Sequence, residues 1–196
     1  MFSVGSPLGN ADYKSLQVSI SRRAANGLTL QGSYNWSRAH GDVDSNFEEL
    51  WWAGNLQNIY DLKDEAKDIS DFDQTHIVKG YVIYNLPFGR GKQLLSNVGT
   101  VVNGFLGGWS LNGNFHYNTG NPIQVNSQNS YPGFNNVYIN LAPGCNLTGG
   151  GSRTLNGTWL NKACFQNPGP AQLGTGGNYQ SQVRNPGFAS DDLGLH

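Results

Sequence analysis

The residues with the makings of chemistry in this chain are acids, cysteines, histidines and tryptophans, and each group can be judged by its spacing. Asp42-x-Asp44-x-Asn46 begins like a calcium-binding loop. The sixth position, which must turn sharply, is Phe47 instead of Gly, and the twelfth is Ala53 instead of Glu, so the motif fails. Asp71-x-Asp73 could ligate a cation with partners from elsewhere, although a solvated acidic loop is the plainer expectation. Gly89-x-Gly91-Lys92 lacks the first glycine of a phosphate loop and carries Gln93 where Ser or Thr should stand. Cys145 and Cys164 are too few for a four-ligand zinc site. An exposed loop disulfide, formed in an oxidising compartment, fits them better. His40, His76, His116 and His196 are scattered, and no nucleophile–base arrangement emerges. The expectation is therefore no catalytic residue, no metal, no cofactor and no enzyme.

The elements that would carry these residues are strands. In the stretch from Trp109 to Gly120, Trp109, Leu111, Gly113, Phe115 and Tyr117 fall on one side of an extended chain, and Ser110, Asn112, Asn114, His116 and Asn118 on the other. Side chains alternate along a strand with a period of two, so the segment has one apolar and one polar face. The polar face is neutral, without Lys, Arg, Asp or Glu, and the apolar face has aromatics at both ends. Trp109 to Tyr117 covers roughly 26 Å, which fits the apolar band of an outer-membrane barrel between its aromatic girdles once the strand is tilted. A half-buried strand of a soluble sandwich would show the same alternation.

The pattern recurs. From Tyr13 to Arg22, Leu16, Val18 and Ile20 share a face against Gln17, Ser19 and Ser21. Asn26-Gly27 then predicts a hairpin. On the return, Leu28, Leu30, Gly32, Tyr34 and Trp36 oppose Thr29, Gln31, Ser33, Asn35 and Ser37. His76 to Leu86 is a less cleanly sided strand, in which Lys79 and Asn85 mark the wetter face. Residues 94–108 read as a short amphipathic turn or helix, Asn121–Val125 as a brief strand continuation, and the tail after Asn185 as the start of a strand cut short.

Composition narrows the class. The charged fraction of 13% is about half that of a typical soluble domain, so much of the surface either meets something other than water or is covered by neutral polar groups. A net charge of −1 gives no basic excess for nucleic acid. The longest apolar runs fall far short of the ~18 residues of a spanning helix. Met1-Phe2-Ser3-Val4 has no basic start and no apolar stretch of a secretory signal, so export information is expected outside this sequence.

The connections separate the readings. They run short (23–27), very long (38–74), moderate (87–108) and very long (126–185). The first long one holds ten of the thirteen acids; the second is rich in Asn, Gly, Pro and Ser and contains both cysteines. Long connections thus share one end of the strands and shorter ones the other, the asymmetry of outer-membrane barrels with short periplasmic turns and long extracellular loops. The expected fold is all-β, a partial antiparallel transmembrane β-barrel. Residues 1–196 would form a single domain with about five to six strands of a larger barrel, because closure takes at least eight.

Short motifs in order resemble Oar-like TonB-dependent receptors, in the C-terminal part of the barrel. They are Asn10-Ala11-Asp12-Tyr13-Lys14-Ser15-Leu16-Gln17-Val18 with Arg22-Arg23, Gly27-Leu28 with Gly32-Ser33-Tyr34-Asn35-Trp36-Ser37, and Ser70-Asp71-Phe72-Asp73 with His76. Leu86-Pro87-Phe88-Gly89-Arg90-Gly91, Gly107-Gly108-Trp109-Ser110-Leu111, Thr119-Gly120-Asn121-Pro122 and Asn185-Pro186-Gly187-Phe188 complete them. The resemblance implies an outer-membrane receptor that imports a substrate through a 22-strand barrel with an N-terminal plug and a contact to the TonB complex. No plug or TonB box lies in the sequence, so that contact would be made by a missing N-terminal part.

The expectations that follow place Leu16, Val18, Ile20, Leu30, Trp36, Trp109, Leu111, Phe115 and Tyr117 against outer-membrane lipid. Gln17, Gln31, Lys79, Asn112 and Asn114 would line a polar lumen, and the loops would gather an unidentified imported substrate. Two rivals stand beside this: a secreted carbohydrate-binding module reading sugar through Trp51, Trp52 and Trp159, and a porin or adhesin without TonB coupling.

Overall fold

Alternating sequence becomes a five-stranded antiparallel sheet in the computed structural model, which describes residues 11–24, 26–41, 57–58, 69–128, 137–154 and 157–196. Its strands are β1 (Ala11–Arg23), β2 (Leu28–Gly41), β3 (His76–Asn85), β4 (Ser110–Asn118) and β9 (Phe188–Leu195), ordered β1-β2-β3-β4-β9. A helix, α1 (Thr100–Leu106), interrupts the connection between β3 and β4. The sheet is not closed on itself, and β1 and β9 form its edges.

Register carries each face across the sheet. Leu30 pairs with Val82, which pairs with Gly113, which pairs with Leu193; Gln31 pairs with Tyr81, then Asn114, then Asp192. A side chain built on Gly32 would point at Ile20 Cγ2, 3.5 Å away, so the Leu16, Val18 and Ile20 side of β1 joins the face of Leu30. One-residue slippage would mix the two sets, and no such shift interrupts the pairing of β2, β3, β4 and β9.

The chain divides into two compact units. The first to be described comprises residues 15–36, 75–119 and 187–196 and holds most of the five-stranded sheet. Among its described residues no large apolar side chain is fully buried; Ile20 is 73% and Leu193 75% exposed.

The second unit, residues 1–14, 37–74 and 120–186, has the opposite character. Among the described residues, the buried hydrophobic side chains all lie in it: Ala39, Ile69, Val137, Tyr138, Ile139, Leu147, Cys164 and Val183. Residues 126–185, expected to be a plain loop, instead carry short strands β6 (Asn140–Leu141), β7 (Phe165–Gln166) and β8 (Tyr179–Arg184), with a 3-10 turn at Lys162–Cys164. β6 pairs with β7, and β8 pairs with β5 (Pro122–Gln124). β5 therefore belongs to a separate two-stranded sheet instead of prolonging β4. Leu147, Cys164 and Val183 form the unit's centre, with Trp159 and Phe165 packed against it.

Asparagine serves as a backbone partner where ladders are short. Asn140 Oδ1 accepts from the Thr175 amide and hydroxyl, and Asn167 Oδ1 accepts from the Gln128 amide and the Ser127 hydroxyl. Cys145 and Cys164 are bonded, with Cα atoms 5.6 Å apart. This disulfide is not the exposed clip expected, since Cys164 is wholly buried.

Candidate functional site

The working surface is the two-faced sheet. On one face β2 contributes Leu28, Leu30, Gly32, Tyr34 and Trp36, in register with Tyr84, Val82, Gly80, Val78 and His76 of β3. β4 continues that face with Leu111, Gly113, Phe115 and Tyr117. Tyr34, Trp36 and Tyr117 gather at one end and Tyr84 at the other. His76 to Tyr84 covers roughly 27 Å of strand. Trp109 lies one residue before β4 and donates its indole N–H to the Phe105 carbonyl at 2.8 Å. Asp191, paired with Phe115, is the exception on this face.

The opposite face brings together Gln31, Lys79, Asn112 and Asn114, and the alternation of β1 puts Gln17 on the same side. Lys79 sits between Ser33 and His116, and Asn114 between Tyr81 and Asp192. This face is less uniformly polar than expected, because Ile77, Tyr81, Ile83 and Phe188 also fall on it. His116 meets the Phe188 ring edge-on at 6.2 Å. His76 belongs to the apolar face, where its Nδ1 lies 2.8 Å from the Tyr34 hydroxyl.

Of the acid pair Asp71 and Asp73, both in the second unit, Asp73 does not lie in a solvated loop. Asp73 is 1% exposed. Its Oδ1 accepts the Ala39 amide at 2.7 Å, and its Oδ2 accepts from Arg184 NH2 at 2.6 Å. Arg184 also donates to the carbonyls of Asp73, Gly120 and Ser181. Arg38 NH1 stands 3.8 Å from the same Oδ2. Two guanidinium groups surround one carboxylate, and a cleft of about 400 Å³ opens beside them, lined by Arg38, His40, Tyr179, Gln180 and Ser181. Among the described residues, no three metal-ligating side chains gather.

Arg184 escaped sequence reasoning, as did Gln57. The Gln57 amide donates to the Gly174 carbonyl and accepts from the Gly174 and Tyr138 amides, so one side chain replaces a missing strand partner. A faint signal existed for Arg184, the single Lys or Arg between residues 163 and 196. Trp159, considered for sugar stacking, has the Arg153 guanidinium 5.1 Å over its ring. Trp51, Trp52 and the Asp42–Asn46 motif lie outside the described residues.

Neither face of the sheet is a buried core, yet one carries an apolar field from Leu16 to Leu195 that Asp191 interrupts. A family model described as an outer membrane beta barrel domain matches residues 2–196. The chain belongs to that family. An outer membrane barrel domain sits in the bacterial outer membrane, where hydrocarbon takes the place of the second packing layer. The rival reading as a secreted carbohydrate-binding module gives way to this family. No curated protein and no solved structure matches the chain.

Proposed function

We propose that this outer membrane barrel domain is barrel wall of a TonB-dependent importer. Leu16, Val18, Ile20, Leu30, Trp36, Trp109, Leu111, Phe115 and Tyr117 face lipid; Gln17, Gln31, Lys79, Asn112 and Asn114 face the lumen. The carrying observation is the sorting of connections. Antiparallel order puts the 24–27 and 86–109 connections at one end of the strands and those spanning 42–75 and 119–187 at the other. Short turns face the periplasm and long connections the exterior in this architecture. The exterior connections collect an unidentified substrate, and 119–187 has its own core and disulfide for holding a fixed surface. The motif-by-motif resemblance to Oar-like receptors supports coupling to TonB. No catalytic step is assigned to the chain.

The test uses the natural full-length gene product in native outer membranes and in liposomes. Copurification with the periplasmic domain of TonB, together with liposomes that stay impermeable to small sugars, is the expected result. Free sugar entry without TonB capture would make the protein a porin and overturn coupling.

A further inference from the structure

The connection between β3 and β4 contains a helix that its own sequence cannot sustain. α1 is Thr-Val-Val-Asn-Gly-Phe-Leu, seven residues with two β-branched valines and an internal glycine. Isolated helices shorter than ~12–15 residues are marginal even with good helix formers, so α1 needs an apolar surface to lie on. Among the described residues none is supplied: no residue of α1 is buried, and Gly99 offers it no side-chain cap.

What holds the helix is polar and confined to one side. Asn103 Oδ1 accepts the Arg90 amide at 2.6 Å. Gly89, at φ +118°, approaches Gly107 so closely that a Cβ on it would meet the Gly107 Cα at 2.8 Å. Val101, Val102, Phe105 and Leu106 lie elsewhere on the helix at spacings of one and four, which makes one continuous stripe. Val101 is 76% and Phe105 75% exposed, and Leu94 and Leu95 nearby are about half exposed. The stripe leads directly into Trp109, whose indole caps the Phe105 carbonyl and which heads the Leu111–Phe115 row of the sheet's apolar face. The connection contains no acid and two cations, Arg90 and Lys92, both exposed.

An apolar stripe continuous with a barrel's outer face, flanked by cations and closed by a tryptophan, has the chemistry of an interfacial anchor. We infer that residues 94–109 lie in the outer membrane, at the headgroup–acyl boundary of the leaflet reached by the shorter connections. Val101, Val102, Phe105 and Leu106 enter the lipid, and Arg90 and Lys92 meet phospholipid phosphates. The occupant of this surface is the bilayer. The inference rests on outer-membrane placement and is independent of TonB coupling.

Nitroxide labels on single added cysteines in the full-length protein, reconstituted in phosphatidylcholine–phosphatidylglycerol vesicles, test it; Cys145 and Cys164 are bonded and take no label. Phe105→Cys should collide readily with oxygen and poorly with a water-soluble nickel chelate, as should Leu30→Cys, whereas Lys92→Cys should show strong nickel collisions. Val101→Cys gives the same reading should Phe105→Cys fail to assemble. Strong nickel collisions at 101 and 105 would put the helix in water and overturn the inference. Weak collisions with both probes would show it packed against protein, and would overturn it equally.

Discussion

Arg184 holds Asp73 from two directions, with NH2 2.6 Å from the carboxylate Oδ2 and NH1 2.8 Å from the same residue's carbonyl oxygen. Removing one member of a buried pair leaves the other charge uncompensated, which costs about 3–5 kcal/mol. Asp73→Asn should therefore speed native-state proteolysis of the 120–186 segment by about two orders of magnitude or more. Arg184→Lys should lose most of the same protection, because an ammonium cannot reproduce the fork that also reaches Gly120 and Ser181. Unchanged cleavage in both variants would remove the clamp from the account.

Gln57→Ala should open the same unit by a different route. It orphans the buried amides of Tyr138 and Gly174, each worth about 1–3 kcal/mol when left unsatisfied. Exchange of those two amides with deuterium should accelerate together. Acceleration at only one would mean that Gln57 does not bridge them.

The double substitution Cys145→Ala with Cys164→Ala should destabilise the second unit by about 3 kcal/mol, the chain-entropy value for a loop near this 19-residue separation. Urea denaturation followed by proteolysis of 120–186 reads the loss. The heat-modifiable gel mobility that reports strand pairing should not move.

The faces of the sheet separate by charge. Leu30→Arg should cost up to about 2–4 kcal/mol of membrane assembly, the penalty for arginine against hydrocarbon being greatest at the bilayer midplane. Gln31→Arg, one residue on and across the sheet, should assemble at the parental level. The folded fraction in isolated outer membranes is the readout, and equal loss in both would refute the assignment of faces.

These residues also show what sequence can carry. Leu30 and Gln31 were legible because strand alternation is local: each residue's side is set by its immediate neighbours. β3 was already ambiguous in sequence, and it places Tyr81 and Ile83 among the polar row. The second unit was illegible because its core is assembled from residues set far apart, Leu147, Cys164 and Val183, without period. Pro122–Gln124 looked like more of β4, yet its partner is β8, which no local pattern announced. Asp73 read as a solvated acid because its neutralising partner is 111 positions away.

That separation bears on the order in which the protein takes shape. β1 to β4 meet partners adjacent in the strand order, whereas Gln57 waits 117 residues for Gly174 and Asp73 waits 111 for Arg184. Closing such long stretches of chain is slow. During export the stitched unit stays unfinished until Arg184 has crossed the inner membrane, and through that interval Cys145 and Cys164 are open to the oxidants and foldases of the compartment they enter.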